Sequence, residues 1–195
     1  RLSSPDSLKD TRHFSVSLKG SGLTYKCGDS LGVFPTNNPA AVAALLRAAG
    51  FTGEEEVTIP KDPAPIALRE AWAKRVALNG PTYKFVQLLH DRATASEHKD
   101  ALAARLAEAD PEKKKAWLEQ REFIDLFEEF PSARPSAQEV VELQRKLMPR
   151  LSSISSAPSR YPDEIHLTVA VVRYETNGRA REGVCSSYLA DRARM

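Results

Sequence analysis

The segment IHLTVAVVRY, residues 165–174, carries the strongest strand signal in the chain. Its many β-branched residues pack well on the pleated surface of a sheet. A turn at residues 177–179 follows, and a second strand then runs towards Cys185. Residues 186–191 open a predicted helix with a serine as its N-cap. The C-terminal part of the chain therefore consists mainly of strands.

The N-terminal part also has strand character. Residues 13–18 (HFSVSL) alternate imperfectly between polar and apolar side chains, which is typical of a half-buried strand. A turn at residues 28–29 leads into a short apolar strand that Pro35 ends. A helix follows over residues 38–50, because an Asn-Pro pair marks its start and a glycine marks its end.

The middle of the chain, residues 61–148, predicts several helices. It contains a single glycine and is rich in Ala, Leu, Glu, Lys and Arg, which favour helices. Asp110 begins one helix, whose apolar face continues until Pro131 ends it. Residues 136–139 form a capping box for another.

The order of elements is strands, inserted helices, strands. This order predicts an α+β fold in which one β domain, residues 1–60 and 149–195, is interrupted by a helical subdomain, residues 61–148.

Composition excludes several classes of protein. The chain has 195 residues, of which 42% are hydrophobic and 28% charged, as in an ordinary globular protein. The net charge of +2 gives no reason to expect nucleic acid, and no apolar run is long enough for a membrane helix. Two cysteines and four scattered histidines predict reduced thiols in a cytoplasmic protein without a metal site.

Two places near the C-terminal end could hold a phosphate. Arg150 offers a planar fork of donors just before the hydroxyls of Ser152 and Ser153. Residues 183–187 (GVCSS) form a small-residue turn before a helix, which presents backbone N–H groups to an anion. Each signal is weak alone, but together they fit a dinucleotide whose pyrophosphate is bound from two sides.

Four motifs resemble one family. They are YKCGDSLGVFP at 25–35, PRLSSISS at 149–156, HLTVAVVRY at 166–174 and GRAREGVCSSYLAD at 178–191. Together they resemble the FAD-binding domain of the diflavin reductases, and within that family most of all the flavoprotein (alpha) components of bacterial NADPH-dependent assimilatory sulfite reductases. The similarity covers essentially the whole chain, since the middle segment resembles the family's helical connecting subdomain.

The resemblance implies an antiparallel β-barrel of the ferredoxin-reductase type that holds FAD. Electrons would pass from NADPH through FAD to FMN and then to a haem-protein acceptor such as the sulfite reductase hemoprotein. The FMN and NADPH domains, which would be partners within the same polypeptide, are expected outside this chain.

The resemblance also implies residue roles. Arg150 would bind the FAD pyrophosphate, and Ser153 would act catalytically by hydrogen bonding near the reacting ring nitrogen. Tyr174 would lie near the adenine, and Arg1 would contact NADPH. The implied cofactor-binding set is Arg150, Leu151, Ser152, Ser153, Thr168, Val169, Ala170, Tyr174, Gly183, Val184, Cys185, Ser186 and Gln120.

One departure concerns the flavin ring. The family motif is Arg-x-Tyr-Ser, and its aromatic ring stacks on the isoalloxazine, whereas this chain has Ser152 at the tyrosine position. The lost stacking predicts an affinity for FAD that is about tenfold lower, unless an aromatic such as Tyr188 compensates.

Two alternatives stay open. The chain could be the FAD module of another diflavin reductase, similar to cytochrome P450 reductase, or an interaction domain of the same fold without flavin. In the latter case the five acidic residues within 119–129 would form a docking face, although such a run is more often the solvated side of a helix.

Overall fold

The computed structural model describes residues 1–4 and 6–193, and the chain divides into two compact units. The strand unit consists of Arg1–Thr36 and Met148–Met195, and the helical unit of Asn37–Leu147. Arg194 and Met195, which belong to the predicted strand segment, lie outside the described residues. In chain order, antiparallel strands precede and follow the helical unit, which agrees with the predicted α+β class.

The described residues form short strands and helices. The strands, in chain order, are Asp10–Ser17 (β1), Ser30–Val33 (β2), Glu56–Ile59 (β3), Asp62–Ala67 (β4), Arg150–Ser153 (β5), Glu164–Val171 (β6), Arg173–Thr176 (β7) and Arg179–Glu182 (β8). The helices are Pro39–Ala49 (α1), Leu68–Lys74 (α2), Tyr83–Arg92 (α3), Ser96–Ala107 (α4), Pro111–Glu119 (α5), Phe123–Glu129 (α6), Ala137–Leu143 (α7) and Val184–Ser187 (α8), and a π-helical turn, Tyr188–Arg192, continues α8.

The described ladders are all antiparallel pairs. They join β1 to β6, β2 to β5, β3 to β4 and β7 to β8. An isolated bridge between Ile154 and Leu167 connects the end of β5 to β6. In the strand unit, these pairings surround a small core whose buried members are Phe14, Leu18, Tyr25, Ile165, Leu167 and Leu189.

The strand predicted over residues 165–174 is divided in two. β6 ends at Val171 and β7 begins at Arg173, because the carbonyl of Val172 accepts the N–H of Gly183 at 2.9 Å instead of continuing the ladder to β1. The predicted turn before β8 is confirmed, since Asn177 and Gly178 both have positive φ angles, 51° and 66°.

The serine N-cap predicted for the last helix is confirmed in position only, because Ser187 precedes the π-helical turn Tyr188–Arg192 but makes no side-chain cap hydrogen bond. α8 begins at Val184, and Gly183 is its N-cap without a side-chain cap. Tertiary contacts explain the difference, because the Ser186 hydroxyl already bonds to Val172 and Gly183.

The boundary after the first strands lies at Thr36, whereas the sequence pattern placed it at residue 60. The reason is burial. α1 turns Val42, Leu45 and Leu46 into the core of the helical unit, and β3 adds Val57 to the same core. The predicted ends of α1 are confirmed: Asn38 accepts the N–H of Ala40, and Gly50 is left-handed with φ 76°.

The single helix predicted from Asp110 to Pro131 is two helices, α5 and α6. Asp110 caps α5 as expected, but α5 ends at Glu119, and Glu122 starts α6 with a capping box to Asp125. The aromatic residues of α6 join a large buried core with α3, in which Phe85 packs against Phe123 and Phe127 with ring centroids 4.7 and 5.6 Å away.

Buried polar groups in the helical unit are hydrogen-bonded. Asn37 donates to the carbonyls of Trp72 and Val76 at 2.6 and 2.8 Å, and the Trp72 indole donates to Gln144 at 2.8 Å. Each bond satisfies a group that would otherwise be costly to bury. Within the described ranges, none of the helices is long and apolar enough to cross a bilayer.

Candidate functional site

The β2–β5 ladder places the first predicted phosphate ligand. Arg150 lies opposite Val33, and Ser152 lies opposite Leu31. Because successive side chains of a strand point to opposite faces, Arg150 and Ser152 share one face of β5, while Leu151 and Ser153 share the other. The four neighbouring residues therefore present their side chains on both faces of the strand.

The serines after Arg150 differ in their hydrogen bonds. Within residues 1–4 and 6–193, the hydroxyls of Ser152 and Ser153 make no hydrogen bond to the protein. By contrast, Ser155 donates to the carbonyl of His166 at 3.1 Å, and Ser156 bonds to the Tyr25 hydroxyl at 2.9 Å. The first two hydroxyls are thus available to a ligand, and the last two hold the strand unit together.

The turn before α8 presents the second predicted ligand set. The amides of Val184, Cys185 and Ser186 lie in the first turn of the helix, where N–H groups have no intrahelical acceptor. Gly183 provides no side-chain cap for them. Three consecutive amides at a helix start favour an anion.

The Ser186 hydroxyl has a structural role. It accepts the N–H of Val172 and donates to the carbonyl of Gly183, both at 3.1 Å. Its proton is therefore used within the turn, and the backbone amide is what Ser186 offers to a ligand. The turn is also crowded, because a Cβ at Gly183 would lie 2.8 Å from this hydroxyl and 2.9 Å from the Cβ of Val172.

Arg150 and Cys185 lie within electrostatic reach of each other. Burial raises the pKa of the half-buried Cys185 thiol, and the positive charge of Arg150 partly offsets that rise. The fold therefore brings the guanidinium of β5 and the amides of α8 to the same part of the strand unit, although 35 positions separate residues 150 and 185 in sequence.

A second arginine adds positive charge beside α8. Arg192 donates to the carbonyl of Val184 at 3.4 Å, and its guanidinium lies over the Tyr188 ring at 5.6 Å. Its Nη1 is the one buried side-chain polar atom without a hydrogen-bond partner in the described part of the chain. Tyr188 itself is partly buried and packs against the core of the strand unit.

The remaining predicted residues of β6 and β7 differ in the sheet face on which their side chains lie. Thr168 and Ala170 are exposed on one face of β6, whereas Val169 points to the opposite face and packs against the core. Tyr174 lies on β7 opposite Arg181 and is 48% exposed. Thr168, Ala170 and Tyr174 are thus accessible, and Val169 offers a ligand its backbone alone.

Two predicted residues belong to other elements of the chain. Gln120 is the exposed C-cap of α5 in the helical unit. Arg1 is 3.6 Å from Asp10, whose carboxylate also binds Arg12 and Arg173. Hydrogen bonding from Arg12 holds the pKa of Asp10 below its ordinary value.

The sequence did not reveal this cluster of charges. Arg173 also binds Asp191 at 2.8 Å, so the cluster ties the start of β1 to the π-helical turn. Its members lie far apart in the chain, and no local pattern marks them.

The acidic residues of α6 are mostly used within the unit. Asp125 is 3% exposed and accepts the N–H of Glu122 at 2.7 Å, and Glu129 binds Arg121 at 2.9 Å. These contacts favour the structural interpretation of the acidic run over a docking face.

The donor set suits a diphosphate. A guanidinium, three backbone amides and a second arginine are all donors, and they carry positive charge or the positive end of a helix dipole. Carboxylates are not among them. Two free hydroxyls on β5 and the exposed side chains of β6 extend this set towards a larger ligand. In the described residues, no group of three potential metal-ligating side chains accompanies it.

Comparison with known proteins agrees with this chemistry. The family model described as FAD binding domain matches residues 1–188. The chain is 41% identical over 191 residues to the sulfite reductase [NADPH] flavoprotein alpha-component of Bacillus subtilis, covering 98% of the chain and 31% of that protein. It is 38% identical over 192 residues to the proteins of the same name from Mannheimia succiniciproducens and Yersinia pestis, again covering 98% of the chain, and 31% and 30% of those proteins. The chain thus spans about a third of the length of these relatives.

Proposed function

The chain belongs to the FAD binding domain family, and from this premise we propose that it is the FAD-binding electron-transfer module of a sulfite reductase flavoprotein. The relatives that share 38–41% of its residues bear that name. The activity of the whole flavoprotein to which this module would belong is NADPH-dependent electron transfer. FAD supplies a ring that takes up two electrons as a hydride and releases them one at a time.

Arg150 and the amides of Val184, Cys185 and Ser186 would hold the FAD diphosphate. The observation that carries this assignment is the match of residues 1–188 to the FAD binding domain family, and the effect of the Arg150 charge on the pKa of Cys185 supports it. A planar guanidinium binds phosphate oxygens in pairs, and the amides complete the cradle from the other side. Arg192 adds a positive charge close to the same turn.

The flavin end would lie along β5 and β6. Ser153 has a free hydroxyl that would hydrogen-bond near the reacting ring nitrogen, and Thr168 and Ala170 would line the ring. Tyr174 would contact the adenine, and Gln120 the flavin. Ser152 shares the face of Arg150 and leaves that side of the ring without an aromatic partner. We further propose that the antiparallel ladders form the FAD-binding barrel of the family.

The proposed partners of this module would take part in the same electron-transfer reaction. An FMN domain and an NADPH domain of the same polypeptide would exchange electrons with this module, and a haem protein such as the sulfite reductase hemoprotein would receive them. Free Cys27 and Cys185 are compatible with a reducing compartment, which supports a cytoplasmic location.

The test is a titration of the purified chain with FAD, followed by flavin fluorescence and the visible spectrum. Arg150→Ala should weaken binding about 10- to 100-fold, because it removes a charged hydrogen-bond donor. Arg160→Ala is the matched control, since Arg160 is also an exposed arginine of the strand unit.

Two results would contradict the proposal. If the unmodified chain does not bind FAD at high micromolar concentration, the flavin-free interaction domain is the better interpretation. If Arg150→Ala and Arg160→Ala bind FAD equally well, the diphosphate does not lie at Arg150.

A further inference from the structure

The outward face of the β1–β6 ladder holds a histidine directly beside a proposed flavin-lining residue. His13 lies opposite Thr168, and Thr11 lies opposite Ala170. His13, Thr168 and Ala170 are all exposed. Directly paired residues of antiparallel strands have Cβ atoms about 4.5–5.5 Å apart. A ligand that contacts the side chain of Thr168 therefore comes within reach of His13.

The ring of His13 is oriented by its neighbours. It packs edge-to-face on His166, with ring centroids 4.8 Å apart and an interplanar angle of 85°. His166 is itself held by the Tyr161 ring at 4.2 Å and by Glu164, whose carboxylate is 3.1 Å from Nε2. Ser15 donates to the same carboxylate at 2.6 Å. His13 thus packs on His166, whose own position is fixed by Tyr161, Glu164 and, through Glu164, Ser15.

The nitrogens of this oriented ring are not used by the protein. In the part of the chain that the structure describes, the His13 imidazole has neither a hydrogen-bond nor an ion-pair partner. Exposed polar side chains usually keep their rotational freedom, because ordering them costs entropy. A surface imidazole that is held in place with both nitrogens free is pre-organised for a ligand.

We propose that His13 is a further FAD-binding residue, whose imidazole hydrogen-bonds a polar atom of the flavin end of FAD beside Thr168. This inference rests on the proposed function and extends it to a strand, β1, that carries none of the assigned residues. The flavin end is the relevant part because the diphosphate donors, Arg150 and the α8 amides, belong to other elements.

Substitution at position 13 separates hydrogen bonding from packing. His13→Phe retains a ring that can pack on His166 but has no nitrogen, and His13→Gln retains a side-chain donor and acceptor. In FAD titrations of the purified chain, His13→Phe should weaken binding about five- to tenfold, the effect of one hydrogen bond. His13→Gln should stay within about twofold of the unmodified chain, since it restores that bond. His90→Phe, in the helical unit, is the matched control and should bind FAD normally.

The outcomes distinguish the two proposals. If the unmodified chain binds FAD and His13→Phe binds it equally well, the inference about His13 is overturned and the proposed function stands. If the unmodified chain does not bind FAD, the proposed function fails and the inference fails with it. Far-UV circular dichroism checks the folding of each variant, and His13→Ala replaces His13→Phe should the latter not fold.

Discussion

The helical unit and the strand unit differ in how much of their surface they bury. The helical unit has one continuous core in which Trp72, Phe85, Phe123 and Phe127 are at most 1% exposed. The strand unit has a core cluster of only six buried apolar residues in the described part of the chain, and it leaves Phe34 and Leu151 about three-quarters exposed. Intrinsic stability is therefore concentrated in the helical unit, whereas the groups available to a ligand are concentrated in the strand unit.

This difference has a functional meaning. A unit with a small core gains stability from a ligand that binds its folded state. Among the described residues, the free amides of α8, the free hydroxyls of β5 and the large exposed apolar side chains all belong to that unit. Four predictions test the comparison, from the largest expected effect to the smallest.

Truncating the helical core should have the largest effect. Phe127→Ala removes a side chain that is 1% exposed and packs against Phe85, so the free energy of unfolding should fall by about 3–5 kcal/mol. Urea unfolding followed by circular dichroism measures the change. Leu151→Ala, at 76% exposure in the strand unit, is the control and should change stability by less than about 0.5 kcal/mol. Similar losses of unfolding free energy for both variants would show that stability is not concentrated in the helical unit.

Crowding the turn before α8 should have the second-largest effect, on both stability and FAD affinity. Gly183→Ala places a Cβ within 3 Å of Ser186 and Val172, so the turn must shift, at a cost of about 1–3 kcal/mol. Affinity for FAD should fall about tenfold or more, because the α8 amides move with the turn. Gly32→Ala is the matched control, since its Cβ would make an ordinary contact of 3.6 Å with Leu151. Equal FAD affinities for the two variants would place the ligand away from α8.

Restoring an aromatic ring to β5 should strengthen binding. Ser152→Tyr supplies the stacking partner on the face that Arg150 shares, and affinity for FAD should rise about tenfold at most. Leu151→Tyr places the same ring on the opposite face of the strand and should give no such gain. A gain from position 151 and none from 152 would reverse the assignment of the two faces.

The partly exposed ion pair between Arg92 and Glu139 in the helical unit should contribute least to the free energy of unfolding. Hydrogen bonds from Arg92 and from the Ser136 amide lower the pKa of Glu139 from 4.5 to about 2. A carboxyl group whose pKa is depressed by folding stabilises the folded state above its unfolded pKa. That contribution disappears as the pH falls from about 4.5 towards 2.

Glu139→Gln should therefore reduce the pH dependence of the free energy of unfolding in this range. The effect should be below about 1 kcal/mol, because solvent screens the pair. Urea unfolding at several pH values measures it, and Glu119→Gln, in an exposed pair with Lys115 at 4.0 Å, is the control. An unchanged pH profile would mean that neither Arg92 nor the Ser136 amide lowers the pKa of Glu139 in solution.

Local punctuation in the sequence predicted local structure well. The Asn-Pro start and glycine end of α1, the Asp110 cap of α5 and the Ser136 capping box of α7 are all confirmed. Each depends on hydrogen bonds within a few residues, so a short stretch of sequence contains all the information. The predictions failed where a distant group competes, as at Val172, whose carbonyl binds Gly183, and at Ser186, whose hydroxyl is used by Val172.

The sequence by itself determined the kinds of element, their order and the motifs that identify the family, because periodicity, caps and turn residues act over a few positions. Only the tertiary structure decided that α1 belongs to the helical core, that Arg150 lies within electrostatic reach of Cys185, and that His13 stands opposite Thr168. These relations depend on strand register and on which surfaces are buried together. Both are set by contacts between residues far apart in the chain, which a local pattern does not contain.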